Sequence, residues 1–457
     1  MDILDQFRAA LGSNYVLTGK DMAPWVSDWA GQYSSDPLAV LRPENTDQVA
    51  AAIKIANLAQ LPVTPVSGNT GLNGGATTQN GVLLSLDRLN TIDDMDVDSR
   101  TVKVGAGVIL ANLHDAADER GLIFPLTFGA RGSAMIGGVL STNAGGSNVL
   151  RYGNTRDLVL GIEAVMADGT VMNLMGALHK DNSGYNLKHL LIGAEGTLGI
   201  ITRAVVKLFP KPADYATAFA AVRDLPTALQ LLNRLQSVTS GNVEAFEYMP
   251  ADYLERYFAM HPSAKRPFAK THPVNLLIEV GASEAVNEHL TSILAAMMET
   301  GDVIEASIAQ SDSQRAAFWA IREAAAEVSF AQKPFIDTDL AVALRDVGPF
   351  LDQITPRVLA LDPEATDLAI AHLGDGNIHY TVYPSRDDAT LKMAIRAEVA
   401  ALTTQMSGSF SAEHGVGLSK RATMAAHKDP AALAAMRAIK AALDPKGILN
   451  PGKVIPD

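Results

Sequence analysis

The chain has 457 residues, of which 37 are basic and 50 acidic, and its formal net charge at pH 7 is −13. This acidic balance disfavours nucleic acid as the main partner, while 47% hydrophobic and 19% charged residues are ordinary values for a globular protein. There is no cysteine, which excludes disulfides, iron–sulfur clusters on thiolates, cysteine zinc sites and thiol nucleophiles. Any metal must therefore be bound by His, Asp or Glu side chains.

The N-terminal residues carry Asp2 and Asp5 and have no long apolar core, so the sequence predicts neither a signal peptide nor a basic transit peptide. No apolar stretch approaches the roughly 18 to 20 residues of a membrane span. We therefore expect a cytoplasmic protein.

The first zone, residues 1–212, combines strands and helices with many tight turns. A helix is predicted after Asn45 or Thr46, either of which can cap it, and it places Val49, Ile53 and Ala56 on one face. Short apolar runs that precede turns or helices predict strands at Leu61 to Val66, Val82 to Leu86 and Val102 to Val104. The pattern is typical of an α+β domain.

Two prolines in Phe209-Pro210-Lys211-Pro212 indicate a domain boundary. In residues 213–400 we predict strands and helices in the order Thr217 to Val222 (strand), Pro226 to Gln236 (helix), Val243 to Met249 (strand), Val274 to Val280 (strand), Glu284 to Met298 (helix) and Val303 to Ile308 (strand). Two successive βαβ units favour a ferredoxin-like sheet. Residues 401–457 are expected to form a short helical segment that packs back on the other domains.

Three glycine-rich segments occupy the first zone, at Pro65 to Gly75, Gly129 to Gly146 and Gly193 to Ile200. Glycines in such runs let successive N–H groups point into one concavity that can hold phosphate oxygens. Each segment alone is equally well explained by tight turns, but three together indicate a large nucleotide. Neither Gly-x-Gly-x-x-Gly at a helix start nor a P-loop is present, which disfavours a Rossmann NAD site and a P-loop ATPase.

A second group of polar residues surrounds a predicted hairpin. Apolar runs flank Gly374-Asp375-Gly376-Asn377, a strong turn signal, so His372 and His379 should meet at the neck of the hairpin. Glu413 or His414 can supply a third ligand, and neutral imidazole suits zinc, iron, manganese or cobalt. From these residues alone, a metal site and a hairpin with two satisfied histidines are equally open.

Arg322 follows Phe318-Trp319-Ala320-Ile321 in a helical pattern. The guanidinium fork can bind a carboxylate through two hydrogen bonds, which makes Arg322 a candidate substrate clamp. A solvated arginine on a helix is the equally open alternative.

These motifs together resemble a known family. The glycine segments, with Phe124-Pro125, Tyr152-Gly153 and Ala167-Asp168-Gly169, resemble the FAD-binding domain of the vanillyl-alcohol oxidase type. The segments His372 to His379, Glu413-His414-Gly415 and Asn450-Pro451-Gly452-Lys453 resemble its D-2-hydroxyacid dehydrogenase branch, which includes enzymes that oxidise D-lactate, D-2-hydroxyglutarate and glycolate. The resemblance runs from about residue 38 to residue 454.

The resemblance implies an α+β fold with a two-part FAD-binding domain (1–212), a ferredoxin-like substrate or cap domain (213–400) and a helical C-terminal segment (401–457) that completes the active site and the flavin site. It implies that FAD is held by Ser67, Gly68, Asn69, Thr70 and Gly71 at the diphosphate, by Ser133, Gly137 and Gly138 near the flavin, and by Asn143, Ile200 and Asn450 around it. Because Gly68-Asn69-Thr70 offers no histidine for covalent attachment, the FAD should be bound non-covalently.

The resemblance also implies a metal bound by His372, His379 and Glu413, with zinc expected first and manganese or cobalt as alternatives. His414 would be the acid/base and Arg322 would bind the substrate. Relatives that act on 2-hydroxyglutarate have a lysine where this chain has Phe335, and Lys333 lies two positions earlier. A D-lactate-like monocarboxylate is therefore slightly favoured over D-2-hydroxyglutarate or D-malate, unless Lys333 reaches the substrate.

The implied reaction is oxidation of a D-2-hydroxy acid to the 2-oxo acid by hydride transfer from Cα to flavin N5. Because there is no cysteine for an internal relay, the electrons would pass to an external acceptor such as an electron-transfer flavoprotein, a quinone or oxygen. Two alternatives stay open, a metal-independent flavoprotein oxidase and a non-catalytic flavin-binding protein with a structural metal. The sequence also leaves open whether the chain forms a homodimer.

Overall fold

The computed structural model describes residues 2–29, 31–282 and 286–456. Its strands are β1 (Val16–Leu17), β2 (Ala39–Leu41), β3 (Val63–Val66), β4 (Val82–Ser85), β5 (Thr101–Gly105), β6 (Leu122–Ile123), β7 (Val159–Val165), β8 (Val171–Leu174), β9 (Ile200–Lys207), β10 (Phe209–Pro210), β11 (Asp214–Val222), β12 (Val243–Met249), β13 (Val274–Ala282), β14 (Val303–Ile308), β15 (Ile336–Ala341), β16 (Thr366–His372) and β17 (Asn377–Tyr383).

Its helices are α1 (Ile3–Leu11), α2 (Thr46–Ala59), α3 (Leu110–Asp118), α4 (Ile136–Thr142), α5 (Val149–Tyr152), α6 (Leu187–Leu191), α7 (Leu225–Val238), α8 (Ala251–Met260), α9 (Val286–Glu299), α10 (Asp312–Glu323), α11 (Ala325–Phe330), α12 (Val347–Leu361), α13 (Ala389–Gln405), α14 (Arg421–His427) and α15 (Pro430–Leu443). Within the described ranges, none of these helices is both long enough and apolar enough to cross a membrane.

The first zone contains two four-stranded sheets and a short strand pair. The sheet β1-β2-β4-β3 is parallel from β2 to β3, and the sheet β5-β9-β7-β8 is antiparallel. The predicted helix is confirmed as α2. Of the two predicted caps it uses Asn45, whose Oδ1 accepts a hydrogen bond from Gln48 N at 2.9 Å. Its residues Val49, Ile53 and Ala56 are fully buried on one face.

The cap domain is built on one seven-stranded sheet in the order β14-β11-β13-β12-β16-β17-β15. Its first four strands, numbered by their order in the chain, lie in the order 4-1-3-2, so the ferredoxin-like prediction is confirmed. The prediction missed that the histidine hairpin, β16 and β17, joins this sheet and that β15 forms its other edge. The predicted start of the second helix at Glu284 lies outside the described residues, and α9 is described from Val286.

Side chains alternate between the two faces of this sheet, so each face has its own core. Helices α7, α9, α12 and α13 cover one face through Leu231, Leu294, Ile354 and Ile395. Helices α8, α10 and α11 cover the other face, on which the functional residues described below also lie.

The C-terminal part of the chain returns to the first zone. Residue 400, the expected domain boundary, lies within α13, which packs against α12 of the cap. After α14 and α15, Leu449 forms a parallel bridge with Val63, and both residues belong to the core of the first sheet. The C-terminal segment therefore contacts both the cap and the FAD-binding part.

Candidate active site

One cavity of about 1000 Å³ connects the glycine segments to the histidine hairpin. Its walls come from all three parts of the chain, since its lining includes Ser67, Gly68, Asn69, Thr70, Gly71, Ser133, Gly138, Glu195, Arg322, Asp337, His372, His379, Glu413 and His414. A concave site of this size with a few convergent polar groups is typical of a ligand or active site.

The first and second glycine segments touch at Gly68. A Cβ atom at Gly68 would lie 2.2 Å from the Ser133 carbonyl oxygen, so only glycine allows the two backbones to approach this closely. Beside it, Asn69 has a left-handed φ of 52°, and its Nδ2 donates to the Ser27 carbonyl at 2.7 Å. Gly68 and Asn69 line the cavity at the segment that the resemblance assigns to the FAD diphosphate.

Four of the residues implied to hold FAD do not line this cavity in the described part of the chain. Gly137 packs on Ala106, since a Cβ atom there would lie 2.9 Å from the Ala106 Cβ. Ile200 is buried in the core of the first sheet. Asn143 accepts a hydrogen bond from Arg156 N at 2.9 Å.

The fourth residue, Asn450, is 1% exposed and forms hydrogen bonds with two glycine segments. Its Nδ2 donates to the carbonyls of Gly75 at 2.9 Å and Glu195 at 2.7 Å. Its Oδ1 is buried without a protein partner.

We expect Gly68→Ala to weaken FAD binding about tenfold to a hundredfold, because forcing the segments apart costs about 1 to 3 kcal/mol. The dissociation constant for FAD, measured by flavin fluorescence, tests this. Gly176→Ala is the matched control, since a Cβ atom there meets nothing within 4 Å. Equal affinity in the two variants would show that the contact at Ser133 does not shape the FAD site.

The predicted hairpin is confirmed as β16 and β17. His379 pairs with Ile370, two residues before His372, so both imidazoles lie on the same face of the sheet with ring centroids 5.4 Å apart. The turn needs a glycine at position 376, where φ is 81° and a Cβ atom would lie 2.1 Å from the Val342 carbonyl oxygen.

Glu413 lies between the two histidines. Its Oε1 is 3.9 Å from His372 Nε2, and its Oε2 is 3.7 Å from His379 Nε2. Ligands of one tetrahedral zinc ion, each about 2.0 to 2.2 Å from it, lie about 3.3 Å apart. Glu413 therefore lies near both histidines, and it contacts each of them through a different carboxylate oxygen.

A second set of four residues could also hold an ion. The ligand atoms of Asp339, His379, Glu413 and His414 all lie within 4.8 Å of one another. However, Asp339 Oδ1 accepts from Asn377 Nδ2 at 3.0 Å, and Oδ2 accepts from the backbone N–H groups of Glu413 and His414 at 2.9 Å each. Asp339 is thus already satisfied, and it orients the Glu413 loop.

Glu247 contacts His372, one of the three side chains (His372, His379 and Glu413) that form the first candidate ligand set. It is fully buried on β12, opposite His372, and its Oε1 lies 2.9 Å from His372 Nδ1. A carboxylate on the far nitrogen of a histidine fixes which nitrogen faces a metal. Burial alone would lower the pKa of His372, but the charge of Glu247 outweighs burial and raises that pKa to about 9.

Burial changes the pKa values of the neighbouring groups in different directions. It lowers the pKa of His379 well below its ordinary value, and the charge of His372 adds to this. It raises the pKa of Glu413, although the charge of His372 opposes the shift. For Asp339, burial is outweighed by His414 and Lys420, which lower its pKa. His379 is thus a neutral imidazole, as metal ligation requires, whereas His372, with its raised pKa, must release a proton before it can bind a metal.

Arg322 is not a solvated helix residue. It is 6% exposed at the end of α10, lines the cavity and donates from Nε to Glu247 Oε2 at 2.7 Å. Its Nη2 lies 3.3 Å from His372 Nε2. Glu247 therefore holds both the candidate clamp and a candidate metal ligand.

Lys333 does not reach this cavity, because it is exposed and absent from the described lining. Phe335 stacks on Phe330 with ring centroids 4.7 Å apart and planes 10° apart. Phe330, with Trp29, Met260 and Ala331, gives the cavity an apolar wall.

Comparisons with known proteins agree with this architecture. Residues 37–175 match the family model described as FAD binding domain, and residues 211–454 match that of FAD linked oxidases, C-terminal domain. In fold, the chain is similar to an alkyldihydroxyacetonephosphate synthase (TM-score 0.76, 16% identity, 99% of this chain and 86% of the other covered). It is also similar to a p-cresol methylhydroxylase with substrate bound (TM-score 0.75, 16% identity, 100% and 96%). The class is thus an FAD-linked oxidoreductase with the predicted vanillyl-alcohol oxidase type of fold.

Sequence relatives narrow the class. A D-2-hydroxyglutarate dehydrogenase of Xanthomonas citri pv. viticola is 37% identical over 95% of this chain and 92% of its own length. The mitochondrial D-2-hydroxyglutarate dehydrogenase of Arabidopsis thaliana is 35% identical over 98% and 81%. The corresponding enzyme of Stutzerimonas stutzeri is 32% identical over 99% and 98%. The chain belongs to this family of FAD-dependent D-2-hydroxyacid dehydrogenases.

Proposed function

We propose that the chain uses non-covalent FAD and one divalent ion to oxidise a D-2-hydroxy acid with a short or apolar side chain, and that an external acceptor takes the electrons. The observation that supports this most directly is the single cavity that holds the glycine segments, Arg322 and the histidine cluster together. Bound FAD would supply the hydride acceptor for the substrate Cα. A divalent ion held by His372, His379 and Glu413 would stabilise negative charge on the substrate hydroxyl oxygen.

In this proposal His414 takes the hydroxyl proton. Its side chain lines the cavity and is 25% exposed, and its ring is stacked 5.7 Å from that of His379. Asp339 fixes its backbone through the hydrogen bond described above. A base whose backbone is held in this way has less freedom to lose when it meets the substrate hydroxyl.

Arg322 binds the substrate carboxylate and so directs the Cα–H bond. Its position is fixed because Glu247 accepts from its Nε in a buried pair. An arginine that is already desolvated and oriented binds a carboxylate with a smaller loss of side-chain entropy than a free surface arginine.

The cavity wall suggests a monocarboxylate. Arg322 is the only Lys or Arg among the described residues that line the cavity, and the lining also includes the apolar side chains of Trp29 and Phe330. A second carboxylate on the substrate would be taken out of water without a cationic partner, which is costly. D-lactate and D-2-hydroxybutyrate therefore fit better than D-malate. D-2-hydroxyglutarate is the second candidate, because the relatives above are named for it.

The test is anaerobic addition of D- and L-2-hydroxy acids to the purified protein while flavin bleaching is followed, with kcat/KM compared across D-lactate, D-2-hydroxybutyrate, D-malate and D-2-hydroxyglutarate. We expect bleaching by D-enantiomers only and a preference for the monocarboxylates. A tenfold preference for a dicarboxylate, about 1.4 kcal/mol, would overturn the substrate assignment. If Lys333→Ala then removed that preference, Lys333 would be the missing cation.

Non-covalent attachment of FAD has its own test. Acid precipitation should release the flavin into the supernatant, because no histidine lies at Gly68-Asn69-Thr70 to bind it covalently. Flavin that stays in the pellet would contradict the prediction.

A further inference from the structure

The third glycine segment carries a buried carboxylate, Glu195, that points away from its own segment. Glu195 is 7% exposed, lines the cavity and contacts the loop that follows His414. Its Oε1 accepts from Val416 N at 2.6 Å, and its Oε2 accepts from Gly417 N at 2.9 Å. Two backbone donors of the His414 loop are thus satisfied by one side chain from a distant part of the chain.

Asn73, from the first glycine segment, completes this contact. Its Nδ2 donates to the His414 carbonyl at 2.6 Å and lies 3.3 Å from Glu195 Oε2. The Asn73 carbonyl accepts from Leu418 N at 2.8 Å. The first glycine segment therefore contacts the backbone of His414 itself through Asn73, and the third contacts the two residues at 416 and 417 through Glu195.

The contact with Glu195 and Asn73 explains why positions 415 and 417, after His414, are glycines. Gly415 has a φ of 75°, and a Cβ atom there would lie 2.6 Å from Glu195 Oε1. Gly417 has a φ of 49°, and a Cβ atom there would lie 2.3 Å from the Asn73 carbonyl oxygen. Any larger residue would push the loop away from Glu195 and Asn73.

The opposite side of the loop is held by Asp339 of the cap, as described above. The backbone of His414 is thus fixed from both domains at once. Asp339 sets its position relative to the histidine hairpin, and Glu195 with Asn73 sets its position relative to the FAD segments.

We propose that Glu195, together with Asn73, is a positioning residue that sets the distance of the His414 imidazole from the reacting atoms. This inference rests on the proposed role of His414 as the base. A displacement of about 1 Å at a reacting group can cost on the order of 10²-fold in rate. Removal of Glu195 also leaves two backbone N–H groups without an acceptor, which shifts the loop or admits water.

The first measurement is the rate of anaerobic flavin reduction in holoenzyme containing FAD and metal, with D-lactate or D-2-hydroxyglutarate, whichever reduces the wild type faster. Glu195→Ala should lower this rate about tenfold to a hundredfold, with KM changed by less than about threefold. Glu195→Gln keeps one acceptor oxygen and should recover part of the loss. An unchanged rate in Glu195→Ala would overturn the proposal.

The second measurement is a double-mutant cycle with His414→Asn. If Glu195 acts through His414, adding Glu195→Ala to His414→Asn should slow reduction by less than about threefold. Fully multiplicative effects would refute the positioning role alone. A normal rate in the single variant His414→Asn would instead refute the proposed base, and the positioning role with it.

Asp362→Ala is the control for loss of a buried carboxylate. Asp362 is 1% exposed and accepts from Ser385 N at 2.7 Å in the cap, away from the cavity. It should lower the melting temperature without changing flavin reduction. Loss of FAD from both Glu195→Ala and Glu195→Gln would assign Glu195 to cofactor binding and overturn the proposal.

Discussion

His414→Asn is expected to slow flavin reduction by on the order of 10² to 10⁴, the usual contribution of a positioned general base. Asparagine cannot accept the hydroxyl proton at neutral pH. The hydrogen bonds that hold position 414 involve its backbone N–H and carbonyl, so the substitution should leave the loop in place. FAD and metal should therefore stay bound.

Stopped-flow absorbance under anaerobic conditions measures the rate, and flavin and metal contents are determined on the same sample. His289→Asn is the control, because His289 is exposed on α9 and does not line the cavity. A His414→Asn enzyme that reduces its flavin at the normal rate with an unchanged pH profile would show that another group takes the proton.

Local patterns explain how much of the fold could be predicted. The hairpin was predictable because its turn residues and both strands lie within residues 366–383. The βαβ units were predictable from periodicity over short windows. The pairing of β12 with β16 was not, because it joins Glu247 to His372, which are 125 positions apart, and no local pattern reports such a partner.

The candidate active site likewise contains residues that local patterns indicate and residues whose partners lie far away in the sequence. The sequence indicated His372, His379 and Glu413, and the structure brings them together. It missed Glu247 and Glu195, whose partners lie 125 and 221 positions away. The available signal was an ionisable residue within a buried apolar strand or a glycine segment. That signal predicts that a partner exists, because a buried charge is costly without one, but it cannot name the partner.

Arg322 is a residue whose role could not be decided from the sequence alone. Its helical pattern left a solvated arginine and a substrate clamp equally open. Only the fold decides burial, since α10 packs on the sheet face that carries Glu247. The contact at Glu247 also means that a change at either residue affects the substrate clamp and the metal cluster together.

Substitution of the candidate metal ligands is the second change for which we expect a large effect on activity. His379→Ala and His372→Ala should each lose the bound ion and most of the activity while keeping FAD, because two remaining ligands hold an ion poorly and neither histidine belongs to a glycine segment. Elemental analysis should find about one divalent ion per chain in the wild type, with zinc expected first. Glu247→Gln should weaken metal affinity about 10- to 100-fold, as loss of the partner of a metal-binding histidine usually does.

The pattern across variants distinguishes the two candidate ligand sets. His372 belongs only to the first set and His414 only to the second, so loss of metal from His372→Ala with retention in His414→Asn identifies the first. Asp375→Asn is the matched control, since Asp375 lies in the turn between the two histidines and asparagine can still accept from Asn377 N. The reverse pattern would place the ion on His414, and an imidazole that ligates a metal cannot also take the substrate proton. The proposed base and the assignment of His372 as a ligand would then fail together, while His379 and Glu413, which belong to both sets, and the FAD site would be unaffected.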